Sequence, residues 1–250
     1  MKKRNVLLHL CCAAICALWV SSAFAQSDAQ FVKANQEYAA GHFKEAIDGY
    51  EALTHAGPYS ANLFYNLGNA YFRTGNFGRA ILNYERALAL DRHHPESEAN
   101  LRVVRDEARA LEMQQDWLQR RLQFASLNQY TVAASIAFWV AVFWIVRLFF
   151  ARRRSAGAVA MSILLLAIFG AAVFAGYELD NGSTGRTLAI VTGNDVTARL
   201  ATADNTRSIL ALPPGSEIKI LSVRGDWIYA DLPNNLRGWI PSKDAEQVRL

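Results

Sequence analysis

Hydrophobic and polar positions along this chain fall into distinct textures. A short apolar stretch, residues 6–20, follows three cations, Lys2, Lys3 and Arg4. Residues 130–150 are apolar except for Arg147, and residues 155–177 carry no charge. Each of these runs is long enough to cross ~30 Å of hydrocarbon as a helix. From Leu188 onward the texture changes to short Val- and Ile-rich stretches, broken by Pro213-Pro214-Gly215, Arg224-Gly225-Asp226 and Pro233-Asn234-Asn235. That pattern predicts short strands joined by frequent turns.

The region between the leader and the first long apolar run repeats itself. At an offset of 34, Asn35 falls on Asn69, Gly41 on Gly75, Phe43 on Phe77, Ala46-Ile47 on Ala80-Ile81, and Tyr50-Glu51 on Tyr84-Glu85. This period resembles that of the tetratricopeptide helix-turn-helix unit. The second unit carries Leu67-Gly68 and Tyr71 on its first helix, Gly75 at the turn, then Ala80, Tyr84 and Ala87. Gly68 and Ala80 are small where two helices would cross closely, Tyr71 and Tyr84 fill the groove beside them, and Gly75 permits the turn. The first unit departs from the pattern, with Ala34 in place of the glycine and Glu37 in place of the first tyrosine. Arg92 stands where the family has proline, and Pro95 is expected to open a third helix at its first position. Val104, Ala108, Leu111, Leu118, Leu122 and Ala125 continue at three- and four-residue steps, so that helix is predicted to run long, through 95–127. Two repeats and one helix bury little continuous core, and a partner or self-association is expected to cover an exposed edge.

The chain has 26 Lys plus Arg against 22 Asp plus Glu, a net charge of +4, and 52% of its residues are hydrophobic. The mean hydropathy of +0.05 points to lipid for part of it. The pI near 9.0 traces to the leader and to Arg147, Arg152, Arg153 and Arg154. The rest of the chain is nearly balanced in charge, which argues against a nucleic-acid surface, since that needs many cations gathered on one folded face. Basic residues, an apolar core and Ala23-Phe24-Ala25 read as a secretory signal peptide cut before Gln26. The three cysteines, Cys11, Cys12 and Cys16, lie within it, so cleavage would leave no thiol for disulfides, catalysis or metal. The two apolar runs form a helical hairpin. Its arginine loop, with Arg147 reaching the same interface, is expected on the cytoplasmic side, and both flanking regions outside.

The C-terminal stretches Val196-Thr-Ala-Arg199, Leu212-Pro-Pro-Gly215, Ile218-Lys-Ile220, Gly225-Asp-Trp227-Ile-Tyr229 and Gly238-Trp239-Ile240-Pro241 resemble a bacterial SH3 domain. The fold class is a multidomain membrane protein: all-α tetratricopeptide helical repeats, a two-helix transmembrane hairpin, and a small all-β SH3-like barrel. Its segments are a signal peptide at 1–25, two repeats at 26–94, a capping and connecting helix at 95–127, and a first transmembrane helix at 128–150. A cytoplasmic loop at 151–154, a second transmembrane helix at 155–177, a linker at 178–187 and the SH3 domain at 188–250 follow. In this order the modules resemble the BatE proteins of aerotolerance operons. The resemblance implies a non-enzymatic protein of the bacterial inner membrane. It also implies partners, namely von Willebrand factor A domain proteins and a MoxR-type AAA ATPase.

Chemistry-bearing motifs are few. His93 and His94 are adjacent, so they do not share a helical face as metal ligands at four-residue spacing do, and they read as solvated loop residues. No Gly-Xaa-Ser-Xaa-Gly or phosphate-binding glycine loop occurs. No catalytic residue, metal ligand or cofactor site is assigned. Phe31, Asn35, Tyr65, Asn66, Asn69 and Phe72 fall where first helices line the concave groove, and asparagine amides bond an extended peptide through donor and acceptor alike. For Asn69 internal helix bonding competes evenly, and Phe72 also suits core packing. A carboxylate clamp is disfavoured by Phe31, Glu96 and Asn100 at its basic positions. Trp227, Tyr229 and Trp239 offer aromatic area for a peptide or glycan strand, with core filling as the competing role, above all for Trp239. Two functional readings result: an interaction scaffold, or a peptidoglycan-binding envelope anchor or sensor.

Overall fold

The computed structural model describes residues 28–57, 59–114, 117–122, 124–151, 155–182, 185–203 and 205–249. The signal peptide expected at 1–25 and the loop arginines Arg152, Arg153 and Arg154 lie outside the described residues. The chain divides into two compact units, one ending at Arg109 and one beginning at Ala110.

The first unit is helical. α1 (residues 28–39) and α2 (Phe43–Ala56) form one helix pair, α3 (Ala61–Arg73) and α4 (Phe77–Leu90) a second, and α5 (Pro95–Ala108) follows. Both pairs turn at glycines 34 residues apart, Gly41 at φ 83° and Gly75 at φ 75°, a left-handed backbone that favours glycine. α3 and α4 each start on a side-chain cap. Ser60 Oγ accepts from Leu63 N at 3.1 Å, and Asn76 Oδ1 accepts from Arg79 N at 3.2 Å. Pro95 occupies the first turn of α5, as expected. Gly68 lies against α4 so closely that a Cβ there would come within 2.8 Å of the Tyr84 ring. Tyr50, Phe64, Leu67, Ala80, Ile81, Tyr84 and Val104 are buried around this crossing.

α5 repeats α3 one period later, but only on its inner face. Leu101 and Val104 are buried, as Leu67 and Ala70 are. On the outer face Glu98, Arg102 and Asp106 are exposed at the positions equivalent to Phe64, Gly68 and Phe72. The edge expected to need a partner or self-association is therefore mostly polar at this end, with Val103 as an exposed apolar exception.

The continuous helix expected over 95–127 does not form. α5 ends at Ala108, where Arg109 adopts a left-handed conformation at φ 53°. Leu111 keeps the apolar period but finds its burial elsewhere, packed against the core of the C-terminal sheet. Its backbone is held there too. Leu111 N donates to Ser216 Oγ at 3.1 Å, Glu217 N donates to Leu111 O at 2.8 Å, and Met113 N donates to the Glu217 carboxylate at 2.8 Å. Tertiary contact has overridden helical periodicity. The short α6 (Trp117–Leu122) comes next.

α7 (Leu127–Phe150) and α8 (Ala156–Asn181) are each long and apolar enough to cross a membrane. A capping box opens α7, with Ser126 Oγ accepting from Gln129 N and Gln129 Oε1 accepting from Ser126 N. The pair packs through Ala134, Ala137 and Ala141, a 5.6 Å contact between the Phe138 and Phe169 rings, and Trp144 Nε1 donating to Ala158 O at 3.1 Å. Most other apolar side chains on both helices face outward. α8 runs past Tyr177, taking up Glu178 to Asn181, which fall in the linker expected at 178–187. Asp180 is anchored there by Arg186, whose backbone N donates to Asp180 O at 2.9 Å and whose guanidinium pairs with the Asp180 carboxylate.

The C-terminal sheet is antiparallel and seven-stranded: β1 (Leu188–Val191), β2 (Val196–Arg199), β3 (Ser208–Leu212), β4 (Glu217–Arg224), β5 (Trp227–Leu232), β6 (Leu236–Pro241) and β7 (Ala245–Gln247), in the order β3-β2-β6-β5-β4-β1-β7. Val191, Val196, Ala198, Leu212, Ile218, Ile228, Ala230, Leu232 and Ile240 form its core. Alternation along β5 sends Ile228, Ala230 and Leu232 inward and Trp227, Tyr229 and Asp231 outward. The turn residues expected from sequence carry the tight conformations: Gly215 at φ 87°, Gly225 at φ 57°, Asn234 at φ 67° and Asn235 at φ 59°.

Candidate functional site

The asparagines of the helical unit form a ladder that obeys the repeat. Asn35 Oδ1, on α1, accepts from Tyr50 OH at 2.6 Å and from Asn66 Nδ2 at 2.9 Å. One period later, Asn69 Oδ1, on α3, accepts from Tyr84 OH at 2.6 Å and from Asn100 Nδ2 at 2.9 Å. Each rung ties a first helix to the second helix of its own pair and to the first helix of the next. Asn66 and Asn100 are also 34 apart, an equivalence that the spacing carries once α5 is counted as a first helix and not only as a cap. For Asn69 internal bonding is thus established, and its side chain is a structural tie.

The ladder uses only one end of each amide. Among the described residues, the Nδ2 groups of Asn35 and Asn69 and the Oδ1 atoms of Asn66 and Asn100 make no hydrogen bond to protein. All four side chains are half-buried. The result is a row in which donor and acceptor alternate from α1 through α3 to α5. Beside it, the half-buried Tyr65 ring lies 6.1 Å from Tyr84 and 5.1 Å from His94. Phe31 packs 6.0 Å from Tyr50, and Phe72 packs 6.0 Å from Phe77 at the α3–α4 turn.

Burial sets the chemistry of the tyrosines. The Tyr50 hydroxyl is pushed up to about 12, by burial first and then by Tyr38. Burial likewise raises Tyr84 strongly. Tyr71 is pushed up to about 12 by burial and by its hydrogen bond to Glu51, with Arg79 opposing. Arg79 donates to Tyr71 OH at 2.8 Å and pairs with Glu51 at 3.1 Å. One period later Glu85 pairs with Arg105, which stands at the position equivalent to Tyr71, at 2.6 Å.

His94 corrects the reading of the histidine pair as solvated. It is buried, and its Nδ1 accepts from Ser97 N at 3.2 Å as the N-cap of α5, while Nε2 lies 3.1 Å from Asn62 Oδ1. An acceptor at Nδ1 assigns the proton to Nε2, which then donates to Asn62. Among the described residues no three His, Cys, Asp or Glu side chains gather to hold a metal ion.

On the sheet, Tyr229 and Trp239 are cross-strand partners with ring centroids 4.9 Å apart, and Trp227 lies opposite Pro241. All three aromatic side chains are half-buried and alternate with core positions. Trp239 therefore does not fill the core; the neighbouring Ile240 does. Arg199 and Arg224 flank this row as register partners of Trp239 and Trp227. At the far end of α7 the Arg147 guanidinium lies 5.9 Å from the Trp144 ring.

No curated protein matches the chain. The tetratricopeptide repeat family matches residues 61–94, the span that runs from the start of α3 to His94 before α5. With its Gly75 turn, its Gly68 crossing and its half of the amide ladder, residues 61–94 are a tetratricopeptide repeat.

Proposed function

We propose that the chain is a non-enzymatic scaffold of the bacterial inner membrane, held by α7 and α8 and presenting a tetratricopeptide groove and an SH3-type barrel on the periplasmic side. The observation that carries this reading is the alternating row of amide donors and acceptors on a tetratricopeptide repeat, which matches the backbone of an extended peptide. Tyr65 and Phe31 supply rigid aromatic area next to it. The order of modules supports placement among BatE-type proteins of an aerotolerance or envelope-stress complex, with von Willebrand factor A domain proteins and a MoxR-type ATPase as partners.

The test is co-purification of those partners with the full chain from membranes. Phe31→Ala with Tyr65→Ala should lose the partner while circular dichroism stays near wild type. Trp227→Ala with Tyr229→Ala should keep it. For topology, reporters fused after Leu127 and after Leu250 should both read outside, and Arg152, Arg153 and Arg154 changed to Glu should scramble that orientation.

The outward aromatic row favours a second reading, an envelope anchor or sensor whose barrel binds peptidoglycan. Loss of sedimentation with cell-wall sacculi in the Trp227→Ala and Tyr229→Ala variant, with partner recovery unchanged in the groove variant, would establish it over the first.

A further inference from the structure

The segment between the docked residues 110–114 and α7 has a surface that neither the repeat nor the sheet accounts for. The exposed side chains here are Trp117, Arg120 and Arg121 on α6 and Phe124 in the turn beyond it. Leu118, Gln119 and Leu122 between them are half-buried. Trp117 is 71% exposed and Phe124 82%, comparable with Phe149 at 74% and Phe150 at 81% at the other end of α7.

The height of this face is fixed by contacts to both apolar helices. Tyr130 OH, in the first turn of α7, donates to Leu122 O at 3.0 Å, and the Phe124 ring meets Tyr130 edge-on at 5.7 Å. Gln119 lies against the end of α8, where a Cβ on Gly182 would come within 2.9 Å of its Nε2. The stripe therefore sits level with the beginning of α7 and the end of α8, where an apolar pair gives way to polar chain. Aromatic rings and arginines at that level suit the headgroup boundary, the rings toward the acyl chains and the guanidinium groups toward phosphate.

We propose that α6 and the Phe124 side chain form an in-plane membrane anchor seated on anionic phospholipid headgroups, with Trp117 and Phe124 entering the acyl boundary and Arg120 and Arg121 pairing with phosphate. This rests on the reading of α7 and α8 as membrane spans. Its consequence is that α6 is held flat against the bilayer.

The experiment is spin-label depth measurement on the full chain, with Cys11, Cys12 and Cys16 replaced by Ala, in vesicles of phosphatidylcholine with or without phosphatidylglycerol. Single labels go at Trp117→Cys, Phe124→Cys, Trp139→Cys within the span and Lys33→Cys in α1. Labels at 117 and 124 should lose most of their access to a water-soluble relaxant compared with 33, yet lie shallower than 139. Adding Arg120→Glu and Arg121→Glu should restore water access at 124, more strongly with phosphatidylglycerol present. If 139 is deep while 117 and 124 are as wet as 33, the anchor is wrong and the spans stand. If 139 itself is wet, the spans fail and the anchor with them. Equal depth with and without phosphatidylglycerol, unaffected by the glutamates, would overturn the headgroup pairing.

Discussion

Asn69→Ala should destabilise the repeat more than loss of a surface amide would, because of what it leaves behind. Tyr84 is fully buried, and its hydroxyl bonds to Asn69 Oδ1 at 2.6 Å. Removing that acceptor leaves a buried hydroxyl unpaired at a cost of about 1–3 kcal/mol, while the lost Asn100 bond is partly replaced by water. Tyr84→Phe alone removes one bond and leaves Asn69 still paired with Asn100, costing about 0.5–1.5 kcal/mol. In the double variant no hydroxyl is stranded, so its cost should fall about 1–2 kcal/mol short of the sum of the singles. The tryptophans all lie outside residues 28–109, so tryptophan fluorescence is blind to this region. Amide exchange of backbone N–H groups in 61–108 reports it directly, and 2 kcal/mol appears as roughly a 30-fold faster opening. Additivity within about 0.3 kcal/mol would refute the ladder as an energetic tie.

Gly68→Ala should cost about 1–3 kcal/mol, since its Cβ would meet the Tyr84 ring at 2.8 Å between two packed helices; unchanged exchange protection in α3 and α4 would contradict the crossing. His94→Ala should cost about 1 kcal/mol by uncapping α5, read as faster exchange at Ser97, and His94→Asn should recover much of it. Tyr50 and Tyr71 have folded-state values near 12 against 10 when unfolded, so the folded state holds protons that the unfolded state has lost. Stability of the repeat unit should be full below pH 10 and fall as pH rises from 10 toward 12, and Tyr50→Phe should flatten that fall in an alkaline melting series. Glu217→Ala should raise amide exchange at Met113, leaving protection in β5 and β6 near wild type.

What the sequence disclosed depended on how local the signal was. The 34-residue period is carried by adjacent turns of helix and by Gly41 and Gly75, so helix pairs and their turns were legible from spacing alone. Strand positions around Trp227 and Trp239 were legible for the same reason, because alternation and turn residues are local. The sidedness of Trp239 was not, since a large ring suits either face until the partner strand is known. Leu111 misled for a different reason. Its spacing from Val104 and Ala108 fits a helix, and only Ser216 and Glu217, more than a hundred residues away, explain why it lies outside one. Asn69 had two roles open at equal weight, and Tyr84 and Asn100 decided it. His94 looked solvated because a turn histidine usually is, and its cap to Ser97 became visible only with the α5 start in place.

The polar outer face of α5 limits what the array can become. Head-to-tail stacking of copies would require Glu98, Arg102 and Asp106 to take the places that Phe64, Gly68 and Phe72 hold in α3. Two acids and an arginine would then have to be desolvated at a crossing built for a glycine. Filament growth is therefore blocked at this end, and a longer groove could not arise by simple duplication of the repeat without first rewriting α5.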